Sequence, residues 1–413
     1  MKPVHPSHTR PIWAEISASR LVANYRALQA AAGPQVEMLA VIKANAYGHG
    51  ATECAPILAA AGAKWLGVTS VEEGVAVRQS LDILPQGMLQ PRLLVMCSLW
   101  FGEEASVLDY ALTPVVWETY HLDLLEAEAK RRGLPAQSVA VHVEIDTGMS
   151  RQGVAPGALL EQLLSRFTAD SPLLLEGVMT HLASTEIADD PQDRRQMRDF
   201  NHALEQVATA GLRPAFVHAG NTSSTDSGYM PQAISALAET LGARAMTRAG
   251  MALYGYALPL EMWQEGVPNP HVASSLQPVM AWKTRVVSLR DIGTGTTIGY
   301  NSTFVSVTPM RLALLPVGYA DGFRRGLSSS SEEAGGSVLL HGVRAPILGR
   351  VSMDLTVIDV TDVPQAKISD EVLLIGSCGT EFVGADEQAR IAGTSVYEVL
   401  CGISDRVPRV VVE

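Results

Sequence analysis

Cysteine is scarce: four residues in 413, at Cys54, Cys97, Cys378 and Cys401, with no C-x-x-C pair. That scatter speaks against a zinc-ligand set and against a disulfide framework, so no metal is expected and the thiols are read as packing groups in a reducing cytoplasm. Basic runs are missing and the formal net charge is −12, which excludes nucleic acid and anionic membrane surfaces as natural partners. No uninterrupted apolar stretch approaches the roughly 18 residues of a membrane-spanning helix. Met1 to Trp13 is polar and proline-bearing, without the apolar segment of a secretory signal. Internal repeats are not evident. A glycine-rich first strand–helix turn is lacking, which disfavours a doubly wound nucleotide fold. Gly293-Thr-Gly-Thr-Thr-Ile-Gly299 has no Walker lysine and no strand-to-helix setting, and reads as a turn.

What is present is ample apolar material, 47% of residues, and a length that suggests two or three domains. Strand-like and helix-like segments alternate through the first two-thirds. Strands are expected to end near Lys43, Thr69, Ser98, Glu118, Asp146, His181, Asn221 and Arg248. Helical patterns lie between them at Val71–Leu81, His121–Arg132, Pro156–Phe167, Asp193–Ala210 and Gln232–Leu241, two of them followed by Gly133 and Gly211. Eight such units in about 250 residues predict a (β/α)8 barrel over residues 10–265, whose functional groups would sit at the strand ends.

From Leu276 the pattern shifts to short segments rich in Val, Ile, Leu and Thr: Val279–Leu289, Arg311–Val317, Ser337–His341, Leu355–Val360 and Val372–Ile375. They predict a mostly β domain over 275–413, with a helical stretch near Tyr397–Leu400. Ser328 to Gly336 reads as a flexible surface loop.

Lys43 stands out among the strand ends. Met38-Leu-Ala-Val-Ile-Lys43 closes an apolar run on an amine, and small and polar residues follow through Gly50. A lysine snorkelling at a strand end is the ordinary reading. A desolvated amine that still meets substrate at a barrel mouth is a Schiff-base nucleophile.

The string Met38–Gly50 resembles the cofactor-lysine motif of alanine racemases, and further motifs in the family's order extend the resemblance from Arg10–Ile16 to Arg406–Arg409. The resemblance implies pyridoxal 5′-phosphate as cofactor, attached to Lys43, with Lys43 as the base on one face. It implies that Tyr47 and Tyr397 contact the phosphate, with Thr222, Gly250 and Met251. Arg151, in Asp146-Thr-Gly-Met-Ser-Arg151, would pin the substrate carboxylate with a forked guanidinium. Arg248, in Met246-Thr-Arg-Ala-Gly250, would face the cofactor's ring nitrogen, which a guanidinium does not readily protonate. His181 and Asn221 would support these groups, and Asp354 the loop carrying Met353. Tyr300, in Gly299-Tyr-Asn-Ser-Thr, would be the base on the opposite face. Tyr319 would line the pocket, and Met353 would give a backbone N–H to the substrate carboxylate. In the family Tyr300, Tyr319 and Met353 act on the partner subunit's cofactor, which implies a homodimer with shared sites. The activity implied is interconversion of L- and D-alanine, supplying D-alanine for peptidoglycan.

Three departures from the family pattern carry expectations of their own. Glu144 stands where many relatives have a lysine that becomes carbamylated, and is expected to meet Arg151. The segment between Asn221 and Arg248 is long, with an extra loop and helix over Ser227–Leu241. Glu186 replaces an entrance aspartate. A serine or broad-specificity racemase of the same fold is the nearest alternative. A cofactor-homeostasis protein shares the barrel and lysine but leaves the β domain, Tyr300 and Ser352–Asp354 without a purpose.

Overall fold

A computed structural model describes residues 9–188, 190–262 and 270–413. Its contacts divide the chain into two units. One takes in Arg20–Ala46 and Ala51–Gln277; the other comprises Tyr47–Gly50, Pro278–Glu413 and the described residues up to Ser19.

Among the described residues up to 249 there are ten strands: β1 (Ile12–Ser17), β2 (Val36–Val41), β3 (Trp65–Val68), β4 (Arg92–Val95), β5 (Leu112–Val116), β6 (Val139–Ile145), β7 (Leu173–Thr180), β8 (Ile187–Ala188), β9 (Phe216–His218) and β10 (Arg244–Ala249). Eight close a barrel in the order β10-β2-β3-β4-β5-β6-β7-β9. Every pairing in it is parallel. Such strands are covered on both faces, which is why they read as unbroken apolar runs and are buried almost throughout. The predicted (β/α)8 barrel is borne out.

The helices fall where periodicity placed them, with ends set by local chemistry. Val71–Ser80 is capped by the Ser70 side chain. Thr119–Arg132 stops at Gly133, which takes a left-handed φ of 66°. Pro191–Thr209 starts on an Asp190 cap with proline in its first turn. Tyr229–Thr240 realises the extra helix. No described helix is long and apolar enough to cross a membrane.

One boundary differs from expectation. Residues from 10 were assigned to the barrel, yet β1 pairs antiparallel with Met280–Arg285 and parallel with Arg409–Val412. The reason is topological: β2 and β10 pair and close the barrel, leaving no edge for another strand.

The second unit holds a seven-stranded sheet, a three-stranded sheet and a two-stranded ribbon. The single segment expected over Val279–Leu289 is two strands in different sheets, Met280–Arg285 and Ser288–Ile292. Between them Val286 N–H donates to Asp370 and Val287 N–H to Leu314. Gly293–Gly299 is the turn, ending in a short strand, Thr297–Ile298. The Ser328–Gly336 loop is pinned rather than loose: Gly349 N–H donates to Ser329 Oγ and Val351 N–H to Ser328 Oγ.

Candidate active site

Past Val41 the backbone does something costly. Ile42 N–H still donates to Gly67 O at 2.8 Å, then Ala44, Asn45 and Ala46 wind left-handed at φ of 50°, 53° and 55°. Each such L-residue costs roughly 1–2 kcal/mol, and this kind of strain persists only where the surroundings over-determine it. Three bonds do so here. Ala44 N–H donates to Glu73 Oε1 at 2.6 Å, Ala46 N–H to Ile42 O at 2.8 Å, and Ala51 N–H to Asn45 Oδ1 at 2.8 Å. The tight turn follows Lys43 directly and fixes where its half-buried side chain leaves the barrel. The ammonium acts electrostatically on Cys97 and His181, so it lies among the groups ending β4 and β7.

Arg248 is the centre of the barrel's polar cluster and is buried. Its Nη2 donates to Thr180 O at 2.8 Å and lies 3.2 Å from His181 Nδ1; Nη1 lies 3.2 Å from His218 Nδ1. Burial pulls its pKa down to about 10, Glu144 opposes that and Arg151 adds to it, so the guanidinium stays charged at neutral pH. His181 is driven to about 3, first by burial and then by Arg248, Arg151 and Lys43. A neutral His181 can accept the guanidinium proton on Nδ1.

Thr222 and Gly250 meet where β9 and β10 end. Gly250 N–H donates to Thr222 Oγ1 at 3.1 Å, and Met251 opens the short turn Met251–Tyr254. Asn221 caps the five-residue helix Thr222–Asp226 through Ser224 N–H and donates to Thr185 Oγ1 at 2.7 Å. Glu186 accepts from Ser223 Oγ at 3.3 Å.

The expected Glu144–Arg151 pair is not formed. Glu144 is buried and accepts from Gln152 Nε2, which also donates to Met96 O at 3.0 Å, while Cys97 Sγ lies 3.8 Å from Gln152 Oε1. Asp146 Oδ1 gathers Gly148 and Ser150 N–H at 2.9 and 3.0 Å, and the turn it ties leaves Arg151 exposed. No hydrogen bond or ion pair joins Glu144 to Arg151 among the described residues, although each guanidinium's field reaches the carboxylate. Burial pushes the Glu144 pKa up, with Gln152, Arg248 and Arg151 opposing.

In the second unit the candidate groups sit on tight, exposed turns. Tyr319 N–H donates to Ser352 O and Ala320 N–H to Met353 O, both at 3.0 Å, so Tyr319 and Met353 share one corner. Gly318 is required there: a Cβ would fall 2.2 Å from Ser352 O and 2.4 Å from Met353 O. Asp354 accepts from Arg406 Nη2 at 2.6 Å. Tyr300 opens a separate turn in which Asn301 and Ser302 both take positive φ. Tyr300, Met353 and Tyr319 are 68%, 52% and 44% exposed. Tyr47, by contrast, is buried with its ring centroid 6.0 Å from that of Tyr397. Burial, then Tyr397 and Cys401, push its phenol pKa up.

Four participants escaped the sequence reading. Glu73 follows Ser70 in the S-x-x-E pattern of a capping box, and that pattern hides its hold on the Lys43 turn. Gln152 adjoins the arginine that drew attention, and His142 lies inside an apolar strand. His218, three residues before Asn221, was given no role.

Comparison with known proteins gives the family. The family model "Alanine racemase, N-terminal domain" matches residues 16–258, and "Alanine racemase, C-terminal domain" matches 279–411. The alanine racemase of Symbiobacterium thermophilum is 38% identical over 409 residues, covering 97% of each chain. That of Halothermothrix orenii is 36% identical, again over 97% of each. Among solved structures, the alanine racemase of Streptomyces coelicolor superposes with a TM-score of 0.84 at 30% identity, covering 97% of this chain and 98% of that one. The alanine racemase of Bartonella henselae, with covalently bound pyridoxal phosphate, superposes at 0.77 and 26% identity, covering 97% and 99%. With both domain models matched in order and relatives alike over nearly their full length, the chain belongs to the alanine racemase family, a family of isomerases.

Proposed function

We propose that the chain interconverts L- and D-alanine with pyridoxal 5′-phosphate, by two acid–base groups on opposite faces of the substrate. The observation that carries the reading is the barrel cluster itself, a charged, buried Arg248 with Lys43 nearby at the end of β2. The donor set fits the cofactor. Lys43 offers the amine for its carbonyl. Thr222, Gly250 and Met251 lie at the barrel end where anions are held, with Tyr47 and Tyr397 as further phosphate contacts. Arg248 offers a donor that keeps its own proton. When bound, the cofactor supplies the electron sink that makes the α-proton of an amino acid removable.

The chain's own residues then divide the work. Lys43 moves a proton on one face and Tyr300 on the other, so inversion needs no rotation of the substrate. Arg151 is exposed and reaches outward from its turn, suited to a carboxylate. Met353, held beside Tyr319, presents a backbone N–H to that same carboxylate. The exposure of Tyr300, Tyr319 and Met353 supports their use against the cofactor of a second copy, hence a homodimer with shared sites. The role proposed is supply of D-alanine for peptidoglycan, in the cytoplasm.

Incubating the purified protein with single L-amino acids and resolving the products chirally tests the reading. Alanine is expected to racemise fastest, in a protein that absorbs in the visible. A colourless protein, or one faster on serine than on alanine, overturns it.

A further inference from the structure

From Arg248 a row of polar side chains runs through the barrel core. Arg248 Nη1 lies 3.2 Å from His218 Nδ1, and His218 Nε2 lies 2.8 Å from His142 Nδ1. His142 Nε2 lies 3.4 Å from Glu176 Oε2. That last contact is long, yet among the described residues neither buried atom has a hydrogen-bond partner elsewhere, so each is the other's polar neighbour. Glu176 Oε1 accepts from Arg92 Nη1, and Arg92 also donates to Thr113 Oγ1 at 3.0 Å and lies over the Trp65 ring at 4.3 Å. Gly177, paired with His142 across β6 and β7, makes the room: a Cβ there would sit 2.5 Å from His142 Nδ1.

The direction of the row follows from its ends. Arginine has donors only, so His218 must turn a lone pair on Nδ1 toward Arg248 and carry its proton on Nε2. That N–H donates to His142 Nδ1, which leaves the His142 proton on Nε2, facing Glu176. A carboxylate only accepts, so the far end demands the same order. Both rings are wholly buried, and burial pushes both pKa values down, keeping them neutral. Glu176 stays ionised: burial pushes it up, but His142 and Arg92 outweigh that and bring it to about 2.

We propose that Glu176 is a positioning residue for Arg248, its carboxylate polarising two imidazoles of fixed tautomer so that His218 offers the guanidinium a strengthened acceptor. The inference rests on the proposed place of Arg248 at the cofactor's ring. Hydrogen bonds in a row reinforce one another in a low-dielectric core. An anion at one end of the row can therefore hold the guanidinium at the other. Glu144 and Arg151 act on Arg248 too, through the field rather than through this row.

The test uses full-length protein labelled with 15N-histidine, in which the ring nitrogens report which of them bears the proton. His142 and His218 are both expected as neutral Nε2–H tautomers, with and without cofactor. Glu176→Gln should shift the His218 Nδ1 resonance and lower kcat by about threefold to tenfold, the size of one hydrogen-bond contribution. The KM for alanine should stay within about twofold, since substrate contacts are untouched. Glu176→Asp, which keeps the charge, should restore most of both. Arg92→Gln disturbs the same corner but leaves the anion facing His142, and should leave His218 in place. A charged or Nδ1–H ring in the unaltered protein overturns the proposal, whether or not any variant folds. So does a His218 resonance indifferent to Glu176→Gln, or one moved equally by Arg92→Gln. A shifted His218 with kcat and the visible band unchanged upholds the row and overturns the placement of Arg248 at the ring.

Discussion

The barrel unit and the β unit carry their chemistry in opposite ways. In the barrel, Arg248 is enclosed and engaged on three sides by Thr180 O, His181 and His218. In the β unit, Tyr300 and Met353 are more than half exposed, and Tyr319 nearly so. A buried polar group must have its partners supplied by the fold, because an unmet donor costs about 1–3 kcal/mol. An exposed one is satisfied by water and can be recruited later. The difference teaches a division of labour in which the barrel prearranges its groups internally, while the β unit leaves its groups exposed, as the proposed use against a second copy requires. The supports of the two sets of groups differ as well. The left-handed turn after Lys43 is locked by the Glu73 side chain, whereas Tyr319 and Met353 depend on a glycine and two backbone bonds.

The largest effect should come from the barrel side. Lys43→Ala removes both the proposed attachment point and one proposed acid–base group, and racemisation of alanine should fall by more than about 10⁴-fold. Measured rates in both directions check it, and a variant within a factor of ten of the parent would remove Lys43 from the mechanism. The next largest lies on the other side of the comparison. Tyr300→Phe should lower racemisation by about 10²- to 10⁴-fold and leave visible absorption intact. Solvent exchange of the α-proton should persist from one enantiomer only, and equal exchange from both would sink the assignment of opposed bases.

How far the sequence could have said all this also differs between the units. The barrel was legible because each βα unit is local: an apolar run, a turn, a periodic helix, a glycine stop such as Gly133. Its strand ends named Lys43, His181 and Arg248 because lysine, histidine and arginine closing apolar strands are chemically conspicuous. Partners across the barrel were not legible. Glu73 satisfies a capping-box pattern, and nothing local says that its carboxylate reaches Ala44. His142 and Gly177 are matched only through strand register, a long-range property. The same holds for β1, whose six residues look like any strand and find their sheet only because the barrel is already closed. Glu144 was singled out, but its partner was misjudged, because the Asp146 turn redirects Arg151 and puts Gln152 in reach.

A middling effect should separate scaffold from chemistry in the β unit. Gly318→Ala drives a methyl into the Ser352 and Met353 backbone. It should cost about 1–3 kcal/mol of stability, as overpacking does, and displace Tyr319 and Met353 together. Thermal unfolding reads the first, and a raised KM for alanine with unaltered cofactor absorption reads the second. Altered absorption would refute the separate roles of the two sets of groups.

The smallest effect concerns Glu144, a buried acid in the unit that prearranges its groups. Burial raises its pKa in the folded protein above the unfolded value, and Gln152, Arg248 and Arg151 only partly offset that. The sign follows from proton counting. Where pH lies between the two pKa values, the folded state holds a proton that the unfolded state has released, so stability falls as pH rises. Glu144→Gln keeps the shape, can still accept from Gln152, and has no proton to lose. Its melting temperature relative to the parent should therefore climb as pH is raised from about 4 to about 8, by an amount bounded by roughly 1.4 kcal/mol per pH unit crossed. Because Glu144 makes no bond to Arg151, the KM for alanine should change by less than about threefold, within the range of a lost weak electrostatic contact. A melting difference that is flat across that range would show that folding leaves the Glu144 pKa unshifted, so that its carboxylate is ionised at neutral pH. The barrel's electrostatics would then be held by charge on Glu144 rather than by its shape.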